Sequence, residues 1–124
     1  MKAITIIIFA IITTIFSYSQ DYSNVALVFN DSLPASSIYK LQDILDTDTI
    51  KTNDPNIVIV GFTCSSICSI DWEVKHKSNI LSSTAKKYIK SCAKGNSKLY
   101  FDNIRARNKN GIIISLGSRA IRLL

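Results

Sequence analysis

The sequence predicts a mostly β, antiparallel, sandwich-like domain with one short α-helix at about residues 83–93, following a signal peptide. Three observations carry this reading. Runs rich in β-branched and aromatic residues recur at 25–29, 57–63, 70–75, 98–106 and 112–116. Turn-forming clusters separate them: Asn30-Asp31-Ser32 with Pro34, a polar stretch at 46–56 with Pro55, and Asn110-Gly111. Residues 83–93 place Ala85, Tyr88, Ile89 and Cys92 on one helical face, with Lys86, Lys87 and Lys90 outward.

The N-terminus comes first. Lys2 gives a one-charge head, residues 3–16 form an apolar run, and Ser17-Tyr18-Ser19 sets small residues where a signal peptidase reads. Cleavage leaves Gln20 first. The run is shorter than the roughly 20 residues that cross a bilayer core, so no permanent membrane anchor is expected. With no cysteine at the cleavage point, there is no thiol to acylate. The expectation is a protein exported to a periplasm or beyond, with residues 20–124 as a single β-rich domain.

Residues 25–29 read as a strand that Pro34 ends. Residues 36–45 hold Ile38, Leu41, Ile44 and Leu45 at helical spacing, with Ser37 placed to cap a turn or two. A short extended piece at Thr49-Ile50-Lys51 interrupts the polar connection after them. The run at 57–63 is β-branched almost throughout and reads as a central strand buried on both faces. Residues 70–75 alternate, with Ile70, Trp72 and Val74 on one face, and Trp72 is assigned to the core. Residues 64–69 between these strands read as a hairpin bend. Ser82 or Ser83 caps the helix and Gly95 stops it. The strand at 98–106 must point Tyr100 and Phe101 to opposite sides. Asn110-Gly111 signals a tight hairpin turn in which both residues take positive φ. The return strand is expected at 112–116, with Gly117-Ser118 breaking it before a last extended run.

Three cysteines in an exported chain leave an odd thiol whichever pair closes, and the sequence does not choose the pair. Cys64 and Cys68 would flank the expected bend, where a bridge would pin the strand register. Their spacing, with Cys92 distant and one histidine, is a poor match to structural zinc sites. Charge is uneven: residues 20–73 carry a net −6 and residues 74–124 a net +11. In one domain the halves interleave and part of the asymmetry cancels. What survives would face an anionic partner, and export argues against nucleic acid.

Catalysis needs convergent acid, base or nucleophile groups. Here there is one histidine, one glutamate and no nucleophile elbow, phosphate loop or metal motif, so no cofactor and no enzymatic activity are expected. His76, between Lys75 and Lys77, reads as an exposed strand end. Asp102, the one acid of the basic half, could pair with Arg105 or Lys98 or help the turn chemistry. Arg105, Arg107 and Lys109 flank the 107–111 turn and are the first place to look for a contact surface, since hairpin tips carry adaptable function.

The last third resembles a known family. A lysine-rich helix, a glycine, the strand Lys98-Leu99-Tyr100-Phe101-Asp102-Asn103-Ile104-Arg105-Ala106 and a turn ending in Gly111 are similar to the C-terminal domain of the gliding motility protein GldM and its PorM relatives. Tyr100, Phe101, Asp102, Asn103 and Ile104 form the most specific part. The preceding Asp54-to-Thr63 strand is similar to the family's strand ending in Ser-Phe-Thr-Val, so the likeness covers about residues 54–116. The turn departs from the family's usual Gly-Pro-Asp-Gly, and the 64–68 segment also differs. GldM is a membrane-anchored motor component of the Bacteroidetes type IX secretion and gliding machinery. The resemblance implies a single secreted domain of that kind. The expected function is a non-enzymatic envelope module binding envelope proteins of that machinery. A basic polyanion binder and a small secreted hydrolase using His76 or a cysteine are the alternatives.

Overall fold

The computed structural model describes residues 22–30, 37–66, 71–92 and 97–124. The expected leader at 1–19, Pro34, Cys68 and Gly95 lie outside the described residues. No helix among the described residues is long and apolar enough to cross a membrane.

Strands dominate, as the sequence predicts. They are β1 (Leu27–Val28), β2 (Ile38–Tyr39), β3 (Lys51–Thr52), β4 (Val58–Ser66), β5 (Trp72–His76), β6 (Lys98–Arg107) and β7 (Ile113–Leu123). Two helices accompany them, α1 (Leu41–Leu45) and α2 (Ser83–Cys92). The larger sheet runs β2-β7-β6-β4-β5, and β1 with β3 makes a small second sheet. Every strand pair is antiparallel except the edge pair β2 and β7, where Ile38 lies opposite Arg122.

The core lies between the large sheet and the elements on one of its faces. Phe101 of β6 sits at its centre, with ring centroids 5.2 Å from Phe29 and 5.8 Å from Phe62. Tyr39 meets Phe29 edge-on at 5.2 Å. Ile44 of α1, Leu81, and Ala85 and Ile89 of α2 are fully enclosed around this cluster. Each large apolar side chain removed from water this way stabilises the fold by about 1.5–3 kcal/mol. The buried polar side chains are satisfied locally. Thr47 Oγ1 donates to the Asp43 carbonyl at 2.8 Å and accepts from the Asn30 amide, while Ser66 Oγ donates to the Lys98 carbonyl at 2.7 Å.

The other face of the large sheet is open to solvent. Which residues reach it depends on an irregularity shared by three neighbouring strands. In β6 the core-facing residues are Leu99 and Phe101, then Ile104 and Ala106, so the alternation slips by one at Asp102-Asn103. In β4 it slips between Ile59 and Phe62, and in β7 between Leu116 and Ile121. The ladders are displaced at the same level, around Gly61 against Arg105 and Ile104 against Gly117, and then resume their original register. One extra residue per strand explains this: a bulge in each strand keeps the pairing in phase while exchanging which side chains face inward. Positive φ marks two of the bulges, Asn103 at 49° and Gly117 at 72°.

Several elements depart from expectation. The helix read at 36–45 is shorter, because Ile38 and Tyr39 extend to pair with the C-terminal strand; its N-cap is Lys40, without a side-chain hydrogen bond, rather than Ser37. The bend expected at 64–69 is strand as far as Ser66, so Cys64 lies within the ladder, opposite Val74 and Phe101. The 107–111 turn is a three-residue loop. Gly111 alone takes positive φ, at 78°, and the Asn108 carboxamide accepts from the Asn110 and Ile112 amides. Gly117 does not end β7 but bends it through the bulge. The helix start is as read: Ser82 Oγ accepts from the Ala85 amide at 3.1 Å.

Candidate functional site

The three cations flanking the turn are divided by the structure. Beyond the Asn103 bulge β6 turns Ile104 and Ala106 inward, which leaves Arg105 and Arg107 side by side on the open face. Lys109 sits at the loop tip instead. There, with Asn108 and Asn110, it lines a groove of about 500 Å³ whose other wall includes Tyr22, Asp54 and Ile57.

Cross-strand pairing names the neighbours of the two arginines. Arg107 lies between Val58 on β4 and Ile113 on β7, which are 49% and 51% exposed. Arg105 lies between Gly61 and Ser115. Gly61 is where a side chain is missed most: a Cβ there would stand 3.0 Å from Arg105 Nη2 and 3.1 Å from the His76 carbonyl. The absence of that carbon lets the guanidinium approach β4 at Gly61. Among the described residues neither arginine forms an ion pair. Asp102 does not pair with Arg105 or Lys98; it lies opposite Thr63 on β4, in the same register as Phe101 opposite Cys64. Farther up the same face stand Lys75 and Glu73 of β5, then Lys98 opposite Arg122.

The residues with chemical potential are tied into the fold. Cys64 is a free thiol, fully buried, and the expected Cys64–Cys68 bridge has no counterpart in the structure. Its place in the ladder turns its side chain to the core, where desolvation, followed by the charge of Asp102, pushes its pKa up to about 12. A buried thiol held protonated at neutral pH is a poor nucleophile. No cluster of three metal-ligating side chains occurs among the described residues.

His76 is not an exposed strand end. It is 7% exposed, on the same face of β5 as Trp72, and its ring stacks on Phe62 at a centroid distance of 4.1 Å. Nδ1 lies 3.1 Å from the Val74 carbonyl, and Nε2 accepts from the Ser82 amide at 3.2 Å. These partners assign the neutral ring with its proton on Nδ1. Ser82 Oγ is 3.1 Å from Nε2, the separation of a serine–histidine pair, but the same oxygen caps α2. Burial lowers the histidine pKa below its ordinary 6.5, against the raising effect of the Val74 and Phe62 carbonyls. Trp72 is in the core as expected, with its ring stacked on Tyr88 at 5.4 Å and its indole N–H without a hydrogen-bond partner.

The motif carrying the family resemblance is backbone machinery. Phe101 and Ile104 are enclosed in the core, Tyr100 is half-buried on the open face, and Asp102-Asn103 forms the bulge. Asparagine suits that position because it tolerates the left-handed region better than most residues.

Two features escaped the sequence reading. The run at 57–63 reads as buried on both faces, whereas Val58 is half exposed, and nothing local marks Ile113 as outward; cross-strand pairing on either side of Arg107 identifies both. The other is Arg119, whose guanidinium donates to the carbonyls of Tyr22, Val25, Leu116 and Ser118 at 2.6–3.1 Å. It fastens the turn at 22–25 to β7. No protein-family model matches the chain, and no curated protein matches it either.

Proposed function

We propose that this protein is a non-enzymatic interaction module, exported to the bacterial envelope and working with proteins of the gliding and type IX secretion machinery. The observation that carries the interaction reading is the open sheet face at the hairpin end. Arg105 and Arg107 lie there unpaired, with exposed Val58 and Ile113 on either side of Arg107. Exposed guanidinium groups beside aliphatic surface suit protein contacts, in which arginine is enriched. The state of Cys64 and His76 supports the non-enzymatic reading: among the described residues a hydrolase would recruit, the Cys64 thiol is buried and the His76 ring is held by the Val74 carbonyl and the Ser82 amide.

The assignment to the secretion and gliding machinery rests on the resemblance in residues 54–116, and the apolar run at 3–16 followed by Ser17-Tyr18-Ser19 supports the export reading. Because the Tyr100-to-Ile104 motif builds the bulge, the resemblance supports a shared fold more than a shared binding surface. The test is affinity capture from envelope fractions with the purified secreted protein as bait. Recovery of a component of that machinery is the expected result; recovery of no envelope protein overturns the reading.

A second reading has an observation of its own. The open face carries Lys75, Lys98, Arg105, Arg107 and Arg122 against Glu73 and Asp102, which favours a polyanion. Binding that falls steeply between low and physiological salt would support it, because exposed charges are screened within about 8–10 Å.

A further inference from the structure

We propose that the hairpin end of the open sheet face binds an acidic, apolar-bearing polypeptide segment in extended conformation, seated on Arg105, Arg107, Val58 and Ile113. This deepens the interaction reading and rests on it.

Arg105 and Arg107 are two residues apart on β6, about 6.5–7 Å along the strand. Alternate side chains of an extended partner have the same spacing, so carboxylates at its positions i and i+2 can meet both guanidinium groups at once. Gly61 leaves room beside Arg105, whose guanidinium Nη2 and Cζ lie 3.0 and 3.6 Å from where a Cβ at Gly61 would stand. Arg107 stands between two β-branched residues, each about half exposed, on the adjoining strands. Strands are about 4.8 Å apart, so these aliphatic groups border the arginine at van der Waals range of a bound segment. A carboxylate bracketed by apolar side chains complements that row.

The layout of charge separates this partner from a glycan or a nucleic acid. A polyanion gains most from a continuous basic track. Here Asp102 and Glu73 lie on the same face between the Arg105–Arg107 pair and Lys98 with Arg122, and break such a track. Val58 and Ile113 offer a polyanion nothing, whereas a protein segment covers them.

The test uses the full secreted protein and fluorescence anisotropy at physiological salt, with three probes of equal length: an alternating Asp-Val peptide, oligo-aspartate and a sulfated oligosaccharide. The Asp-Val peptide is expected to bind at least about tenfold more tightly than either polyanion. The double variant R105A/R107A should weaken it by about tenfold or more, and V58S/I113S by several-fold, without changing net charge. Gly61→Ala should also weaken it, since the added Cβ displaces the Arg105 guanidinium while every charge remains. Amide chemical-shift changes confined to β4, β6 and β7 near the turn would place the peptide on this surface. Equal or tighter binding of oligo-aspartate or the saccharide overturns the proposal, as does undiminished peptide binding by R105A/R107A. Absence of peptide binding by a protein that still captures its envelope partner also overturns it, and leaves the interaction reading standing.

Discussion

Asn103 is exposed, sits at φ 49° in the β6 bulge and makes no packing contact that burial would reward. Replacing it therefore isolates a backbone term. A β-branched residue in the left-handed region is costlier than asparagine by about 1–2 kcal/mol, and glycine carries no such penalty. Asn103→Val should destabilise the domain by about 1–2 kcal/mol, and Asn103→Gly should leave stability unchanged or slightly raised. In a domain of this size each kcal/mol moves the melting temperature by about 4–8 °C. Urea and thermal unfolding of the two variants beside wild type are the assay, with the order valine below asparagine and asparagine no higher than glycine. The same term applies at Gly117, φ 72°, where a Cβ would meet nothing within 4 Å. Gly117→Ala should thus also cost about 1 kcal/mol with no steric contribution. Equal stability of Asn103→Val and wild type would refute the bulge, and with it the reason Arg105 and Arg107 face solvent.

Three further predictions concern buried groups. The His76 pKa is lowered by folding, so between that value and 6.5 the unfolded chain binds more protons than the native one. Its stabilising contribution is full well above pH 6.5 and declines as pH falls toward the lowered folded-state value; the urea midpoint should drop as pH falls below about 6.5, less so in His76→Gln. An identical slope in both proteins would contradict the assignment. Cys64 should resist iodoacetamide in the native state and react only on unfolding, read by peptide mass mapping; rapid native labelling would contradict its burial. Arg119→Ala removes a set of charged hydrogen bonds from a half-buried site and should cost about 2–3 kcal/mol, with faster amide exchange at residues 25–28. Arg119→Lys should rescue little, because one ammonium cannot reach the same carbonyls.

What could be read along the chain was whatever depends on local pattern. The β-branched run at 57–63, the alternation from Trp72, the strand opening at Lys98 and the Ser82-capped helix all declare themselves within a few residues of their own position. What escaped depends on distant partners. Residues 36–45 have helical spacing throughout, yet Ile38 and Tyr39 are claimed by Arg122 and Leu123 at the far end of the chain. His76 stands between two lysines and looks solvated, but its environment comes from Phe62 across the hairpin and Ser82 beyond β5. Cys64 sits in a polar, small-residue stretch that resembles a turn, and pairing on both sides keeps it strand. The bulges are the least legible feature, since each is defined only against its neighbours' register. They are also what sorts the site: without the slip at Asp102-Asn103, strict alternation from Phe101 would send Arg105 and Arg107 into the core.

Of the residues singled out in advance, Arg105 and Arg107 are brought together while Lys109 belongs to a separate groove. Their aliphatic neighbours could not be found without the cross-strand pairing. The proposed contact surface is the hairpin end of the open face. The deciding measurement is affinity capture from envelope fractions by wild type and by R105A/R107A, at equal salt and with matched thermal stability. The double variant is expected to retain the fold and to lose capture by about tenfold or more. Undiminished capture by a folded R105A/R107A protein would contradict it.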